Sequence, residues 1–357
     1  YSWQTSPIMI GYRQSLFGYN SLKWDKRIEP VRYQEAKKSY VETLELVSAN
    51  AINKFFALAT AQSNYDIASF NYANADTLYR YAQGRYNIGT ITENEMLQLE
   101  LNRLTEETNR MNARIEMDNC MQELRSYLGI QEEREIRVRV SSRIPDFSIN
   151  LNEALALAYE NSPDIQTMKR RKLESESAVA RARANAGLKA DIYLRFGLTQ
   201  TADKLPEAYR NLLDQQYVSL SISLPILDWG RGKGQVRVAR SNRDLVYTQV
   251  EQSRTDFELN VRKLVKQFNL QTQRVRIAAR TDETAQRRNE VARKLYILGK
   301  STILDLNASI SEKDSARRNY VSALYNYWSL YYTLRSMTLY DFESNKLLTE
   351  DYNLLIE

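Results

Sequence analysis

Apolar and small side chains recur every seven residues along two long stretches of this chain, in alternating steps of three and four. The clearest part of the first stretch is Tyr65, Ala68, Tyr72, Ala75, Tyr79, Ala82 and Tyr86. The second stretch includes Phe257, Val261, Leu264, Phe268, Val275, Ala278, Ala285 and Ala292. A seven-residue period is typical of the seam of a coiled coil. It predicts two long helices, over about 30–87 and about 233–298, of roughly 90 and 100 Å at 1.5 Å per residue.

Shorter helices are predicted next to the long ones, over about 92–128, 164–189 and 302–337. Gly89 and Gly299 each lie between a long helix and the helix that follows it. Glycine readily adopts a positive φ, which allows the chain to reverse direction at the end of a helix. Each glycine therefore marks the predicted tip of a helical hairpin.

Strands in which apolar side chains alternate with polar or small ones interrupt the helices, over about 8–17, 191–199 and 217–227; the first of them fits the pattern less cleanly. A period of two gives a strand one apolar face and one polar face. This pattern fits a half-buried sheet in a soluble protein, and it equally fits a membrane β-barrel with lipid outside and water inside. The barrel is favoured because long helices offer two or three strands no obvious cover for an apolar face. No stretch approaches the roughly 20 uninterrupted apolar residues of a transmembrane helix.

An internal repeat organises the chain. A shift of 210 positions places the tip sequence at Tyr86 on that at Tyr296, and Leu124-Arg125-Ser126 on Leu334-Arg335-Ser336. Several features that agree at one shift indicate duplication. We therefore predict a first repeat over 1–138, a linker over 139–150, a second repeat over 151–338 and a tail over 339–357. Because the second copy has about 60 more residues before its long helix, we expect the first copy to be incomplete at its N-terminus.

Composition excludes several kinds of chemistry. The 357 residues include no His and a single cysteine, Cys120. Catalytic triads that use His, imidazole metal sites, cysteine metal clusters and intrachain disulfides are therefore excluded. The formal charge of +6 is too mild to indicate a nucleic-acid partner. We predict no enzymatic activity, no catalytic residue, no metal and no cofactor.

The chain resembles the TolC-like outer-membrane efflux proteins. The resemblance rests on the tandem repeat, on the passage from strand to helix over 220–230, on the opening of the second repeat over 151–164, and on the two tip sequences over 86–89 and 296–299. It covers nearly the whole chain, from about Ile8 to Met337. No single motif carries it; the order and the spacing of the motifs do.

This resemblance implies a fold and a function. The fold is mainly α with a small β part: long antiparallel hairpins form a trimeric α-barrel, continuous with a transmembrane β-barrel to which each subunit gives four strands. Only three strands are found here, so the fourth is expected in the missing N-terminal segment. The implied function is a passive exit duct in the outer membrane of a Gram-negative bacterium, extending into the periplasm. Its implied partners are two further copies of the chain, outer-membrane lipid, a periplasmic adaptor and an inner-membrane pump.

Candidate site residues lie at the hairpin tips. An acid follows each tip glycine by six positions, Glu95 in the first copy and Asp305 in the second. In a trimer they would form a ring of six carboxylates at the periplasmic mouth, which would favour cations and push some pKa values up. The alternative is that both are ordinary first-turn acids that answer the helix dipole. For the adaptor surface we predict Asn87, Ile88, Gly89, Thr90, Leu298, Gly299, Lys300 and Ser301.

Two other classes of protein remain open at this point. A soluble coiled-coil scaffold or interaction protein would account for the long helices but would leave the alternating strands without a role. A helical nucleic-acid-binding protein rests only on the mild positive charge, and it would require strong, salt-sensitive retention on DNA.

Overall fold

The structure, a computed structural model, describes residues 1–132, 134–141, 144–298 and 300–348. These residues are mainly helical, with a small amount of sheet. In chain order the elements are β1 (Trp3–Ser15), α1 (Ser21–Asn87), α2 (Glu93–Tyr127), α3 (Leu151–Asn161), α4 (Pro163–Ala186), β2 (Lys189–Ala202), a short 3-10 helix (Glu207–Tyr209), β3 (Leu213–Ser223), α5 (Arg231–Ile297), α6 (Ile303–Thr338), β4 (Tyr340–Asp341) and β5 (Lys346–Leu347).

The chain divides into two compact units. The sheet unit consists of residues 1–37 and 163–257, and the helical unit consists of the described residues within 38–162 and 258–357. The long helices α1 and α5 each contribute to both units. Among the described residues, none of the helices has a segment that is both apolar enough and long enough to cross a bilayer.

The sheet unit is built on three antiparallel strands in the order β1-β2-β3. Tyr12 on β1 pairs with Leu194 on β2, which in turn pairs with Val218 on β3. Alternate positions along each strand therefore form one apolar face, and its members on the two outer strands are exposed. These exposed residues are Ile8, Ile10, Tyr12, Val218, Leu220 and Ile222.

Strand boundaries differ from those that alternation predicts. The first strand begins at Trp3 and not near residue 8, because a bulge between Thr5 and Ile8 accommodates Pro7, which has no N–H for the ladder. The third strand covers Leu213–Ser223 and not 217–227. Pro225 lies two residues after the end of this strand and has no donor with which to extend the pairing.

Helix α1 begins about nine residues before the predicted start at Pro30. The side chain of Asn20 accepts a hydrogen bond of 3.0 Å from the Lys23 N–H, which caps the helix at Ser21. Pro30 lies inside the helix, and not in its first turn where proline is most common. The structure also contains a helix that periodicity did not predict: α3, at the opening of the second repeat.

Helices α1 and α5 have the same length and matching positions in the two repeats. Each contains 67 residues, and Arg231 follows Ser21 by the same 210 positions that align the two tip sequences. The alanines of the α1 seam, Ala68, Ala75 and Ala82, are buried. Small side chains at this spacing permit close approach of a neighbouring helix.

Aromatic side chains hold the segment before α3 against the helical unit. Phe147 lies 5.4 Å from Phe268 on α5, measured between ring centroids, and Phe268 lies 5.1 Å from Tyr327 on α6. The Tyr327 hydroxyl donates a hydrogen bond of 3.0 Å to the Pro145 carbonyl. A buried tyrosine needs such a partner for its hydroxyl, so the inter-repeat segment is fixed at this point.

Candidate functional site at the hairpin tips

The tip of the first hairpin is a tight helix-ending turn. Helix α1 ends at Asn87, and Gly89 has a φ of 72°. The N–H of Gly89 donates to the Tyr86 carbonyl at 2.8 Å, and the N–H of Thr90 donates to the Arg85 carbonyl at 2.9 Å. This pair of bonds is the Schellman motif, in which a residue with positive φ ends the helix. Glycine suits the position because it has no Cβ to oppose that φ.

The second tip has the equivalent bond. The N–H of Lys300 donates to the Leu295 carbonyl at 2.9 Å, just as Thr90 donates to Arg85. Gly299 itself lies outside the described residues. Both tips present apolar side chains to solvent: Ile88 is 74% exposed and Leu298 is 66% exposed.

Glu95 and Asp305 occupy matching positions, each as the third residue of its helix. The Glu95 carboxylate accepts a 3.1 Å hydrogen bond from the Thr92 N–H, and the Thr92 hydroxyl accepts a 3.2 Å bond from the Glu95 N–H. Thr302 and Asp305 form the same reciprocal pair. Both acids are therefore capping-box residues, which cap the N-terminus of the helix and interact favourably with its dipole.

Hydrogen bonds also determine the ionisation of Asp305. Its carboxylate accepts from the Thr302 hydroxyl at 2.7 Å, from the Thr302 N–H, and from the Ser301 hydroxyl at 3.3 Å. These donors, led by the Thr302 side chain, lower the pKa of Asp305, and the charge of Arg288 adds to the effect. Within one chain the pKa therefore moves in the opposite direction from the one that crowding in a ring would produce.

Tyr296 belongs to the seven-residue row of the second long helix, but that row does not predict that Tyr296 lies close to the first hairpin. Burial raises the pKa of Tyr296; the positive charge of Arg85 opposes that rise, and the negative charge of Glu95 adds to it. Tyr296 belongs to α5, whereas Arg85 and Glu95 belong to the first hairpin. The repeat alignment places Tyr86 on Tyr296 and so marks both as tip residues. It does not indicate which side chains of the two hairpins contact each other.

Polar contacts join the first hairpin to the second along α1 and α6. The Asn71 amide donates to the buried Asp314 carboxylate at 2.7 Å, and the Tyr325 hydroxyl donates to Asn53 at 3.2 Å. Further along, Arg335 forms a largely buried ion pair with Glu45, at 3.0 Å. Helices α1 and α6 are therefore neighbours within one chain.

Within the first hairpin, three tyrosines of the α1 seam each carry an arginine of α2 over the ring. The guanidinium carbons lie 4.2–5.6 Å from the ring centroids in the pairs Tyr79 with Arg103, Tyr72 with Arg110, and Tyr65 with Arg114. Each contact is of the cation–π type. Spacing by sevens on α1 predicted a partner helix for the tyrosines but not the chemistry of that partner.

The second hairpin is held by buried polar groups. The Gln271 side chain donates to the Ala323 carbonyl at 2.9 Å, and the Asn289 amide donates to the Ser309 hydroxyl at 3.0 Å. The order of neighbouring helices in the helical unit is therefore α2, α1, α6, α5.

Two faces of this helical layer are exposed in the described part of the chain. Helix α2 exposes a row of apolar residues in steps of four, three, seven and four: Leu97, Leu101, Leu104, Met111 and Ile115. Helix α5 and the residue directly after it expose a row at intervals of seven or fourteen: Leu270, Ile277, Val291 and Leu298. We call these rows the α2 seam and the α5 seam. They lie on the first and last helices of the layer.

In the described part of the chain, no three His, Cys, Asp or Glu side chains are grouped so that they could hold a metal ion.

Comparison with known proteins identifies the family. The family model described as outer membrane efflux protein matches residues 154–338, which is more than half of the chain. Outer membrane protein TolC of Escherichia coli (strain K12) is 21% identical over 311 residues, covering 84% of this chain and 61% of TolC. The chain thus spans less than two thirds of the length of that relative.

Solved structures share the fold. The CmeC outer membrane channel of Campylobacter jejuni superposes with a TM-score of 0.75 at 15% identity, covering 100% of this chain and 80% of CmeC. VceC of Vibrio cholerae superposes with a TM-score of 0.73 at 14% identity, covering 95% of this chain and 85% of VceC. The MtrE outer membrane channel of Neisseria gonorrhoeae superposes with a TM-score of 0.72 at 14% identity, covering 98% of this chain and 82% of MtrE.

The long paired helices, the small sheet and the family match together define the class of protein. The chain belongs to the outer membrane efflux protein family. It is an outer-membrane protein of the TolC-like class.

Proposed function

We propose that this chain is one subunit of a homotrimeric exit duct that conducts substrates passively across the periplasm and the outer membrane. The duct serves a tripartite efflux or type I secretion system, with a periplasmic adaptor and an inner-membrane pump as partners. The protein provides a path and no catalysis. The channels to which it is structurally similar support this proposal.

The observation that carries the proposal is the pair of exposed seams at opposite ends of one helical layer. The α2 seam and the α5 seam are different surfaces, so contact between them joins two copies head to tail. A heterologous contact of this kind closes into a ring when the rotation between copies permits. Heptad rows on both helices supply the knobs that such a contact needs. Three copies joined in this way would surround a common axis.

The sheet supports the same arrangement. Both outer strands, β1 and β3, have an unpaired edge in the described chain, and unpaired edges are templates for further pairing. The exposed apolar face, for example at Ile10 and Leu220, needs cover by lipid. We infer that neighbouring subunits complete a shared β-barrel whose apolar face meets the membrane.

The tips fit the role of a periplasmic mouth. Their exposed apolar residues and polar neighbours form the proposed adaptor surface: Asn87, Ile88, Gly89, Thr90, Leu298, Gly299, Lys300 and Ser301. We propose that adaptor contact changes the packing between adjacent hairpins, so that the seams slide or untwist and the mouth dilates. Glu95 and Asp305 would then form the ring of six carboxylates while also capping their helices.

A tandem repeat accounts for the matching halves. The equal lengths of α1 and α5, and the matching bonds at Thr90 and Lys300, support the division into repeats over 1–138 and 151–338. Duplication of a hairpin unit would give each subunit two tips, and a trimer six.

The proposal is tested by a tip variant in the full-length protein. Gly89→Pro forbids the observed φ of 72° and removes the N–H that bonds to Tyr86. We expect trimers in the outer-membrane fraction with export abolished. Gly89→Asn is the matched control, because asparagine tolerates a positive φ, and it should export normally.

Two results would contradict the proposal. Normal export by the Gly89→Pro variant would exclude the tip mechanism. A wild-type protein that is freely soluble and monomeric or dimeric would instead support the coiled-coil scaffold.

A further inference from the structure

A cavity of about 210 Å³ lies beneath the tips, between the first hairpin and the second. Leu78 and Tyr81 on α1 form one wall, and Tyr296 on α5 with Leu306 and Ile310 on α6 form the other. All of these residues belong to the helical unit. The lining is mostly apolar. An apolar cavity of roughly 150 Å³ is large enough to hold benzene, so this one accommodates a substituted ring or a branched aliphatic group.

One positively charged side chain, that of Arg293 on α5, lines the cavity and has no ion-pair partner among the described residues. The neighbouring arginines differ, since Arg287 pairs with Glu283 and Arg288 pairs with Glu312. An unpaired guanidinium offers a fork of donors that matches the geometry of a carboxylate.

A second polar group in the lining is already satisfied. Asn289 is 6% exposed and its amide is bonded to the Ser309 hydroxyl. It is therefore fixed as part of the wall, and Arg293 is the lining residue with a charge to offer.

We propose that this cavity is a binding site for a small amphiphilic carboxylate: an aromatic or branched apolar body fills the space between the hairpins, and the anionic group pairs with Arg293. Such sites are typically apolar with few polar groups that fix the orientation of the ligand. The bound molecule touches α1 on one side and α5 and α6 on the other. It therefore stabilises the observed packing of the two hairpins, because a ligand favours the state that it binds better.

This gives the ligand a regulatory effect on the duct. A molecule that bridges the hairpins opposes their separation and keeps the mouth narrow. The effect on conduction rests on the proposed function, whereas binding itself does not.

Calorimetric titration of the full-length protein in amphipol tests the site, with 4-tert-butylbenzoate as the ligand and neutral 4-tert-butylbenzyl alcohol as its matched analogue. We expect the carboxylate to bind roughly ten-fold more tightly, as a charge-assisted hydrogen bond provides. Arg293→Gln should remove that difference while the alcohol binds as before. Arg274→Gln is the control, since Arg274 is exposed on the same helix, outside the cavity.

Filling the cavity provides a second test. Leu78→Trp and, independently, Ile310→Phe should abolish binding of both compounds, and a variant counts only if its melting temperature is close to that of the wild type. Absence of binding to the wild type, or equal binding of the carboxylate by wild type and Arg293→Gln, overturns the proposal. Conductance in planar bilayers is recorded alongside. A protein that conducts without binding refutes this site alone, and one that binds without conducting refutes the duct alone.

Discussion

The side-chain amide of Asn71 on α1 donates a 2.7 Å hydrogen bond to the carboxylate of Asp314 on α6. Asp314 is 5% exposed, and its other oxygen lies 3.3 Å from the ammonium of Lys313. A buried carboxylate is costly unless both oxygens have partners. This contact therefore joins the first hairpin to the second, and loss of either group should lower the stability of the protein.

We expect Asn71→Leu to weaken the packing of the two hairpins. The substitution leaves the buried Asp314 carboxylate without one of its two partners, at a cost of about 1–3 kcal/mol in the free energy of unfolding. Because the hairpins then separate more readily, the proposed duct should open more often. Thermal melts and single-channel recordings measure the two effects.

Asn50→Leu is the control for that experiment, since Asn50 is exposed on the same helix. It should change neither the melting temperature nor the open probability. Equal behaviour of the two variants would mean that the Asn71 to Asp314 bond does not hold the hairpins together.

The α2 and α5 seams predict a specific pattern of assembly. Leu101→Glu and Ile277→Glu each place a charge in one seam, and each should convert trimers into smaller species, measured by light scattering in detergent. Both residues are already exposed, at 66% and 58%, so each chain should fold as before. Leu46→Glu, at an apolar position on α1 that is 48% exposed, should leave trimers intact.

A mixture of the two seam variants distinguishes a head-to-tail contact from a symmetric one. Each variant keeps one intact seam, so the Leu101→Glu chain can offer its α5 seam to the α2 seam of the Ile277→Glu chain. We expect heterodimers that cannot close into a ring. If each variant alone forms dimers, like seams pair with like, and the ring proposal is wrong.

Sequence periodicity foresaw the long helices because their heptad rows persist over many turns, as at Ala68, Ala75 and Ala82. It did not predict element boundaries that depend on a single local contact. The start of α1 depends on the bond from Lys23 to Asn20, whereas the seven-residue row predicted a start near Pro30. The boundaries of β1 depend on a bulge, which alternation cannot register because a bulge shifts the pattern by one residue.

The candidate site was foreseen in part for a similar reason. The repeat placed Glu95 and Asp305 at equivalent positions in the first turns of their helices, where the structure shows that each forms a capping box with the threonine three residues before it. The positions of Tyr296 and Arg293 next to the first hairpin were not predicted, although Tyr296 belongs to the seven-residue row of α5. Their role depends on which helix of the other hairpin lies opposite them, and that is a property of packing between segments far apart in the sequence.

Capping and charge at Glu95 and Asp305 can be separated by substitution. Glu95→Gln with Asp305→Asn keeps groups that can bond the N-cap but removes the charge. We therefore expect a small drop in melting temperature, from the lost interaction with the helix dipole, and a loss of cation preference in the proposed duct. Alanine at both positions should lower the melting temperature further. Reversal potentials across a salt gradient measure the preference. An unchanged preference in the Gln and Asn variant would show that the acids serve only as caps.

The pH dependence of this preference follows from the lowered pKa of Asp305. A depressed pKa keeps the carboxylate charged as the pH falls through the ordinary Asp range near about 3.9. We therefore expect cation preference to persist at pH 5, and the stabilising contribution of the cap to be lost only when the pH falls below that range. Loss of preference well above it would mean that repulsion between the carboxylates of the ring outweighs the hydrogen bonds of the cap.

Two glycines on the same face of the sheet provide the last prediction. A Cβ at Gly197 would lie 2.6 Å from the Ile8 carbonyl oxygen, a backbone atom next to the bulge of β1. A Cβ at Gly11 would lie 3.2 Å from the Tyr193 hydroxyl, the far end of a side chain that can move. We expect Gly197→Ala to disturb the pairing of β1 with β2 and to reduce assembly in the outer membrane, whereas Gly11→Ala assembles normally. Heat-resistant trimers on gels measure assembly, and equal yields from the two variants would show that the close approach at Gly197 does not limit the sheet.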